Sequence, residues 1–145
     1  GGWIGLLASI ARKDRIKVFV GIASAPDFTR ELMWDHYSDA IKETLKKEGI
    51  YLEPSDYSDE PYKVSYGLIQ DGEHHILLNK PIDLECPVRL FHGLLDVDVP
   101  ASYSSRIAEK IKSNDVIISF NKSGDHRLSS DADLNRLKQA ISEFI

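Results

Sequence analysis

Three short runs of β-branched and apolar residues constrain this chain more than anything else in it: Ile16 to Ala23 (IKVFVGIA), Pro87 to His92, and Val116 to Phe120. None alternates cleanly between apolar and polar, so each reads as a strand covered on both faces. Trp3 to Ala11 is rich in small residues and apolar nearly all round, which predicts a helix buried against a sheet. Helices are also predicted from about Pro100 to Lys112 and from Asp131 to Ile145, the last with Leu134, Leu137, Ile141 and Ile145 on one side. Strands alternating with helices imply parallel pairing through right-handed crossovers. The expected class is therefore α/β, with a three-stranded parallel sheet flanked by helices.

The first two strands are separated by more chain than a simple crossover needs. Asp27 to Gly49 is predicted as one helix, with Asp27 at its cap, Glu31 in the first turn and Gly49 at the C′ position. Leu32, Trp34, Tyr37, Ile41 and Leu45 mark its apolar stripe, and Lys46-Lys47 lie near the negative end of its dipole. Glu53 to Pro61 is polar and Pro-containing, hence a loop. Tyr62 to Leu78 is predicted as a shorter helix broken near Asp71-Gly72. Residues 27–80 thus form a helical, lid-like insertion within a single domain spanning residues 1–145.

With 42% hydrophobic and 28% charged residues the composition is that of an ordinary globular domain. The net charge of −5 is spread along the chain, without a Lys/Arg stripe carrying interleaved aromatics, so no nucleic-acid partner is expected. The apolar runs are too short to span a bilayer and no signal-peptide pattern is visible. No membrane association and a cytoplasmic location are expected. The single cysteine, Cys86, cannot form an internal disulfide, and its apolar setting predicts a buried, inert thiol. His74-His75 lack the i, i+3 or i, i+4 spacing of a metal pair, and no Gly-rich phosphate loop occurs. Neither metal nor organic cofactor is expected.

In an open parallel sheet, functional groups collect beyond the carboxyl ends of the strands. The second strand runs into His92-Gly93-Leu94-Leu95-Asp96-Val97-Asp98-Val99-Pro100, and the third into Asn121-Lys122-Ser123-Gly124-Asp125-His126. One crossover helix separates them, so adjacent strands would deliver Asp96 and His126 to the same edge. A carboxylate there can hold the imidazole's tautomer while the imidazole takes a proton from a nucleophile. Asp98, just before Pro100, reads as a cap or turn residue, and Asp125 as an exposed loop acid. His92 lies near this edge and suits pocket lining or packing equally well. The Trp34/Tyr37 stripe reads as core or lid packing.

The Gly93-x-x-Asp96-x-x-Val99-Pro100 segment, followed by Gly124-Asp125-His126, resembles the acid and base segments of the α/β-hydrolase superfamily. The closer similarity is to bacterial and mitochondrial esterases related to the mammalian acyl-glucuronide esterase and palmitoyl-protein thioesterase. It is carried by Gly1-Gly2-Trp3, Ala25-Pro26-Asp27-Phe28-Thr29, Leu32-Met33-Trp34, Pro54-Ser55-Asp56-Tyr57 and Gly124-Asp125-His126-Arg127-Leu128-Ser129, and extends over essentially the whole chain. In that family the nucleophile elbow reads G-x-S-x-G-G-W. Gly1-Gly2-Trp3 matches its end, so the resemblance implies that the nucleophilic serine and the oxyanion hole are missing from this chain. No G-x-S-x-G occurs in it. Ser24 ends a strand but lacks a following glycine and faces Pro26, which argues against it as a substitute.

What the resemblance implies is the C-terminal part of a serine hydrolase of carboxylic esters or thioesters. His126 would be the general base and then acid, Asp96 would orient it, and Met33 and Trp34 would line an acyl pocket under the lid. A split gene, a truncation or a cleavage would produce the same beginning. The first strand, lacking its usual neighbour, is expected to recruit a second copy of the chain or a complementing N-terminal half. The alternative is a catalytically inactive, self-associating remnant with vestigial Asp96 and His126. An unrelated small-ligand α/β module ranks last.

Overall fold

The computed structural model describes residues 1–54 and 59–145. These form two compact units, the first comprising Gly1–Pro26 and Leu77–Ile145, the second Asp27–Ile76. In the first unit α1 (Gly2–Ala11) precedes β1 (Phe19–Ile22). In the second, α2 (Asp39–Glu48) leads into β2 (Ile50–Glu53), β3 (Tyr62–Ser65) and α3 (Tyr66–Glu73). The first unit then resumes with β4 (Val88–Gly93), α4 (Ser102–Lys110), β5 (Val116–Asn121) and α5 (Asp131–Ser142).

The sheet of the first unit has the order β1-β4-β5, both pairings parallel, with Phe19 opposite Val88 and Gly93 opposite Asn121. The three apolar runs are its three strands, as their composition predicts. β1 is shorter than the run that specifies it, because pairing starts only where the Phe19 N–H reaches the Pro87 carbonyl at 2.9 Å. Leu6, Ile82, Leu84, Val88, Leu90 and Ile107 are the most deeply buried of its aliphatic side chains. Gly5 brings α1 close to the sheet, since a Cβ there would stand 3.3 Å from the Phe19 ring. The helix is not buried all round, however: Trp3, Leu6 and Ser9 face inward while Ile4 is 72% exposed.

Across the sheet's other face, Phe91, Leu128 and Ala140 pack with Val20 and Leu137. Arg89 is buried nearby and pins the chain's end. Its guanidinium donates to Asp115 at 2.7 Å, pairs with Glu143 at 3.1 Å and lies 5.0 Å from the centre of the Phe144 ring. Cys86 is half-buried rather than fully buried, and desolvation pushes its thiol up.

At the surface of the same unit, Asp83 accepts from Lys13 at 2.6 Å and from Lys112 at 2.7 Å. Hydrogen bonds from Lys112 and Lys13 lower its carboxyl from 3.8 to about 2. A carboxyl depressed on folding stabilises the native state above its unfolded value and ceases to do so as pH falls through its folded value. Between pH 4 and pH 2 the urea midpoint of the wild-type chain is therefore expected to fall more steeply than that of Asp83→Asn. Parallel acid limbs would remove this linkage.

The second unit departs from its expected form. The stretch read as one helix from Asp27 to Gly49 comprises a π-helical turn (Thr29–Met33), a 3-10 turn (Trp34–His36) and α2. Asp27, buried and with a left-handed backbone at φ 65°, does begin the first turn, its carbonyl accepting from the Glu31 N–H at 3.0 Å, but what it begins is the π-helical turn and not one long helix. The cap of α2 is Ser38, whose extended backbone interrupts the helix and whose hydroxyl accepts from the Ile41 N–H at 3.3 Å. Gly49 ends α2 in the left-handed conformation, φ 77°, as a C′ glycine should.

The insertion is also not purely helical, because β2 and β3 pair antiparallel, Ile50 opposite Ser65 and Glu53 opposite Tyr62. The predicted helix from Tyr62 to Leu78 begins only at Tyr66, after Ser65 has capped it through the Leu68 N–H, and continues through Asp71-Gly72 to Glu73. Of the loop expected from Glu53 to Pro61, residues 55–58 lie outside the described residues. Tyr37, Leu45, Val64 and Ile69 form this unit's core. Among the described residues no helix is long and apolar enough to cross a membrane.

Candidate active site

Asp96 and His126 meet at the carboxyl ends of β4 and β5, 30 residues apart in sequence. The parallel register sets Gly93 opposite Asn121, and two backbone bonds then tie the departing loops together. Leu94 N–H donates to the Asn121 carbonyl at 2.8 Å and Leu95 N–H to the Gly124 carbonyl at 2.9 Å. Gly93 is required for this approach: a Cβ there would fall within contact distance of backbone atoms of Gly124 and Asp125.

The Asp96 carboxylate is fixed on both oxygens. Its Oδ1 accepts the N–H groups of Asp98 (2.9 Å) and Val99 (2.8 Å), which curls the acid loop around it. Its Oδ2 accepts from His126 Nδ1 at 2.9 Å. The Asp96 side chain is 1% exposed and that of His126 is 42% exposed, so a buried carboxylate meets a partly exposed imidazole. Because the carboxylate can only accept, Nδ1 carries a proton, and in the corresponding neutral tautomer Nε2 is the nitrogen with the free lone pair. Among the described residues no hydrogen bond reaches that nitrogen.

His92 is fully buried and takes the packing role rather than lining an accessible pocket. Its Nε2 donates to the Val99 carbonyl at 3.0 Å, so its Nδ1 accepts from the Ser104 hydroxyl at 2.8 Å. The same Nε2 stands 3.3 Å from Asp96 Oδ2, leaving that oxygen between two imidazoles. Ser104, on α4, has no sequence signal of this role; only the crossover packing brings it beneath β4.

Other expectations for the two loops change in detail. Asp98 occupies the turn rather than the helix cap, since α4 begins after Ala101. Asp125 is an exposed loop acid that also shapes the loop: its Oδ1 accepts from the N–H groups of Arg127 and Leu128, both at 3.0 Å. That bend comes directly after His126 and drives Leu128, at φ 45°, into the core against Phe91. Ser24 is buried, which removes it as an accessible nucleophile. Asp96, Asp98 and His126 also have ligand atoms within 4.8 Å of one another, but the His126 Nδ1 is already committed to Asp96.

Met33 and Trp34 lie in the second unit, where both pack against the core cluster of Tyr37, Leu45, Val64 and Ile69. Trp34 is tilted against Tyr66, ring centres 5.8 Å apart, with the Lys42 and Lys46 ammonium groups at 5.5 and 5.9 Å from its ring.

No family model matches the chain. It is 37% identical over 146 residues to the human protein named palmitoyl-protein thioesterase ABHD10, mitochondrial, covering all of this chain and 47% of that one. Among solved structures, a putative hydrolase from Agrobacterium vitis superposes with a TM-score of 0.93 at 34% identity, covering the whole chain and 58% of that protein. Mouse α/β-hydrolase domain-containing protein 10 superposes with a TM-score of 0.86 at 36% identity, over 99% of this chain and 57% of the mouse chain. The chain spans about half the length of the relatives it matches. It is a partial α/β-hydrolase fold, related in sequence and structure to the palmitoyl-protein thioesterase named above.

Proposed function

We propose that this chain supplies the acid and base of a serine hydrolase acting on carboxylic esters or thioesters, the nucleophilic serine and oxyanion hole coming from residues outside it. The observation that carries the reading is the 2.9 Å bond from His126 Nδ1 to the buried Asp96 carboxylate, on an imidazole whose side chain is itself partly exposed. In the reaction, His126 Nε2 takes the serine proton as the hydroxyl attacks the substrate carbonyl. The imidazolium, held by Asp96, then returns that proton to the departing alcohol or thiol. Water releases the acyl group by the same sequence, with His126 as base again. No metal or organic cofactor enters these steps.

The partner is assigned to the outer edge of β1. Among the described residues that strand pairs with β4 alone, and its Ile22 is 39% exposed. An apolar strand edge of this kind recruits another strand, from an N-terminal hydrolase half or from a second copy of the chain. If only a second copy binds, the chain is an inactive, self-associating remnant. A location in the cytoplasm is part of the same proposal.

Intact-mass spectrometry with a fluorophosphonate serine probe tests the reading. The 145-residue chain alone should gain no adduct. A chimera should gain one, with this chain replacing the matched segment of the Agrobacterium vitis hydrolase, and His126→Ala should abolish it. A stoichiometric adduct on the isolated chain, or labelling of the chimera that survives His126→Ala, would sink the proposal.

A further inference from the structure

Ser24 stands two residues past β1 and is 1% exposed, yet among the described residues its hydroxyl has no hydrogen-bond partner. A buried hydroxyl left unpaired is destabilising, and native structures rarely retain one without a reason. The surrounding backbone is built to hold it there. Ala23 N–H still donates to the Phe91 carbonyl at 2.9 Å, continuing the β1–β4 ladder. Ala23 then takes a left-handed conformation, φ 42°, which alanine adopts seldom. That turn folds the Ser24 side chain back over the sheet, between Gly21 and Gly2.

Both glycines are matched to it. A Cβ on Gly2 would collide with the Ser24 hydroxyl and its own Cβ, and a Cβ on Gly21 would meet the hydroxyl at 2.5 Å. The unpaired oxygen is therefore aimed at the first residue of α1. That helix has no side-chain cap, with only Gly1 at its N-cap, and first-turn N–H groups lack intrahelical partners.

We propose that Ser24 is a positioning residue: in the complemented hydrolase its hydroxyl hydrogen-bonds the backbone of the turn that leads into α1 and fixes that turn. The inference rests on the function proposed above, in which that turn presents the nucleophilic serine. Ser24 touches no substrate atom; it acts by holding the nucleophile's backbone at the angle from which His126 Nε2 can take its proton. Gly2 and Gly21 are kept free of side chains so that the hydroxyl can reach.

The test uses Ser24→Ala in two settings. In the isolated chain the hydroxyl has no partner to lose, so the variant's urea midpoint should equal or exceed that of wild type. In the Agrobacterium vitis chimera, Ser24→Ala should slow the maximal rate of fluorophosphonate labelling about tenfold, the scale of one buried hydrogen bond. The probe's half-saturating concentration and the pH midpoint of labelling should not change. A purely structural serine would not split rate from binding in this way. If the wild-type chimera labels and Ser24→Ala labels equally fast, the positioning role is overturned while the hydrolase reading stands. If the wild-type chimera does not label at all, the hydrolase reading fails and this inference fails with it. A clear loss of stability in the isolated Ser24→Ala chain would also overturn it, by showing that the hydroxyl is already paired there.

Discussion

Gly93→Ala is expected to destabilise the chain by about 3 kcal/mol, the upper range for overpacking at a site that cannot yield. The atoms in the way are backbone: the Gly124 carbonyl carbon and oxygen and the Asp125 carbonyl oxygen. They cannot rotate aside as a side chain would, because the loop is held by the Leu94-to-Asn121 and Leu95-to-Gly124 hydrogen bonds. Relief of the clash must break one of those bonds and carry His126 away from Asp96. Urea unfolding should show the midpoint falling with an unchanged slope, and the His126 Nδ1 proton resonance should lose its hydrogen-bonded shift. Gly67→Ala in α3 is the control. Its Cβ would meet only Ser65 Oγ, at 3.9 Å, and alanine is the better helix former. Its stability should hold or rise.

Asp96→Asn is expected to leave the fold intact and disable the site. The amide oxygen can still accept from Asp98 and Val99 N–H, so the acid loop keeps its shape. The amide nitrogen then replaces the oxygen facing His126, and it can only donate. His126 must present a bare Nδ1 to it, which places the ring proton on Nε2, the nitrogen that ought to act as base. Nitrogen-15 NMR of the isolated chain should therefore show His126 with Nε2 unprotonated in wild type and protonated in Asp96→Asn. In the labelled chimera the same change should slow reaction by roughly 10⁴-fold, the effect of the corresponding tautomer inversion in a serine-protease triad. Asp96→Ala goes further, since it strands two backbone donors near the buried carboxylate position and should cost about 2 kcal/mol of stability as well. Unchanged labelling in Asp96→Asn would mean that His126 does not depend on Asp96.

The parallel sheet and the Asp96–His126 pair were legible because their signals are local. β-branched runs announce buried strands, and a chain that alternates strand and helix leaves Asp96 and His126 at neighbouring strand ends. The second unit was misread for an equally local reason. Tyr62-Lys63-Val64-Ser65 alternates, but over only four residues that pattern is outweighed by the helical signal of Tyr66 to Glu73 directly after it. Ser38 and Ser65 decide the matter by capping α2 and α3, and a serine's capping role depends on the backbone it meets. Asp125 and Ser104 looked like ordinary polar residues, and each acquires its role only from the groups packed beside it.

By itself, then, the sequence determined the layer architecture and the order of strands and helices of the first unit, and the two side chains that meet at the sheet's edge. Periodicity and β-branching act within a few residues, and a single crossover between β4 and β5 leaves little topological choice. The tertiary structure alone decided that Gly93 must lack a side chain, that His92 is a buried strut rather than a pocket wall, and that the Ser24 hydroxyl points at α1. Each of these depends on contact distances between residues far apart in the chain, set by the register of Gly93 against Asn121 and by the packing of helices on the sheet. No local pattern encodes those distances.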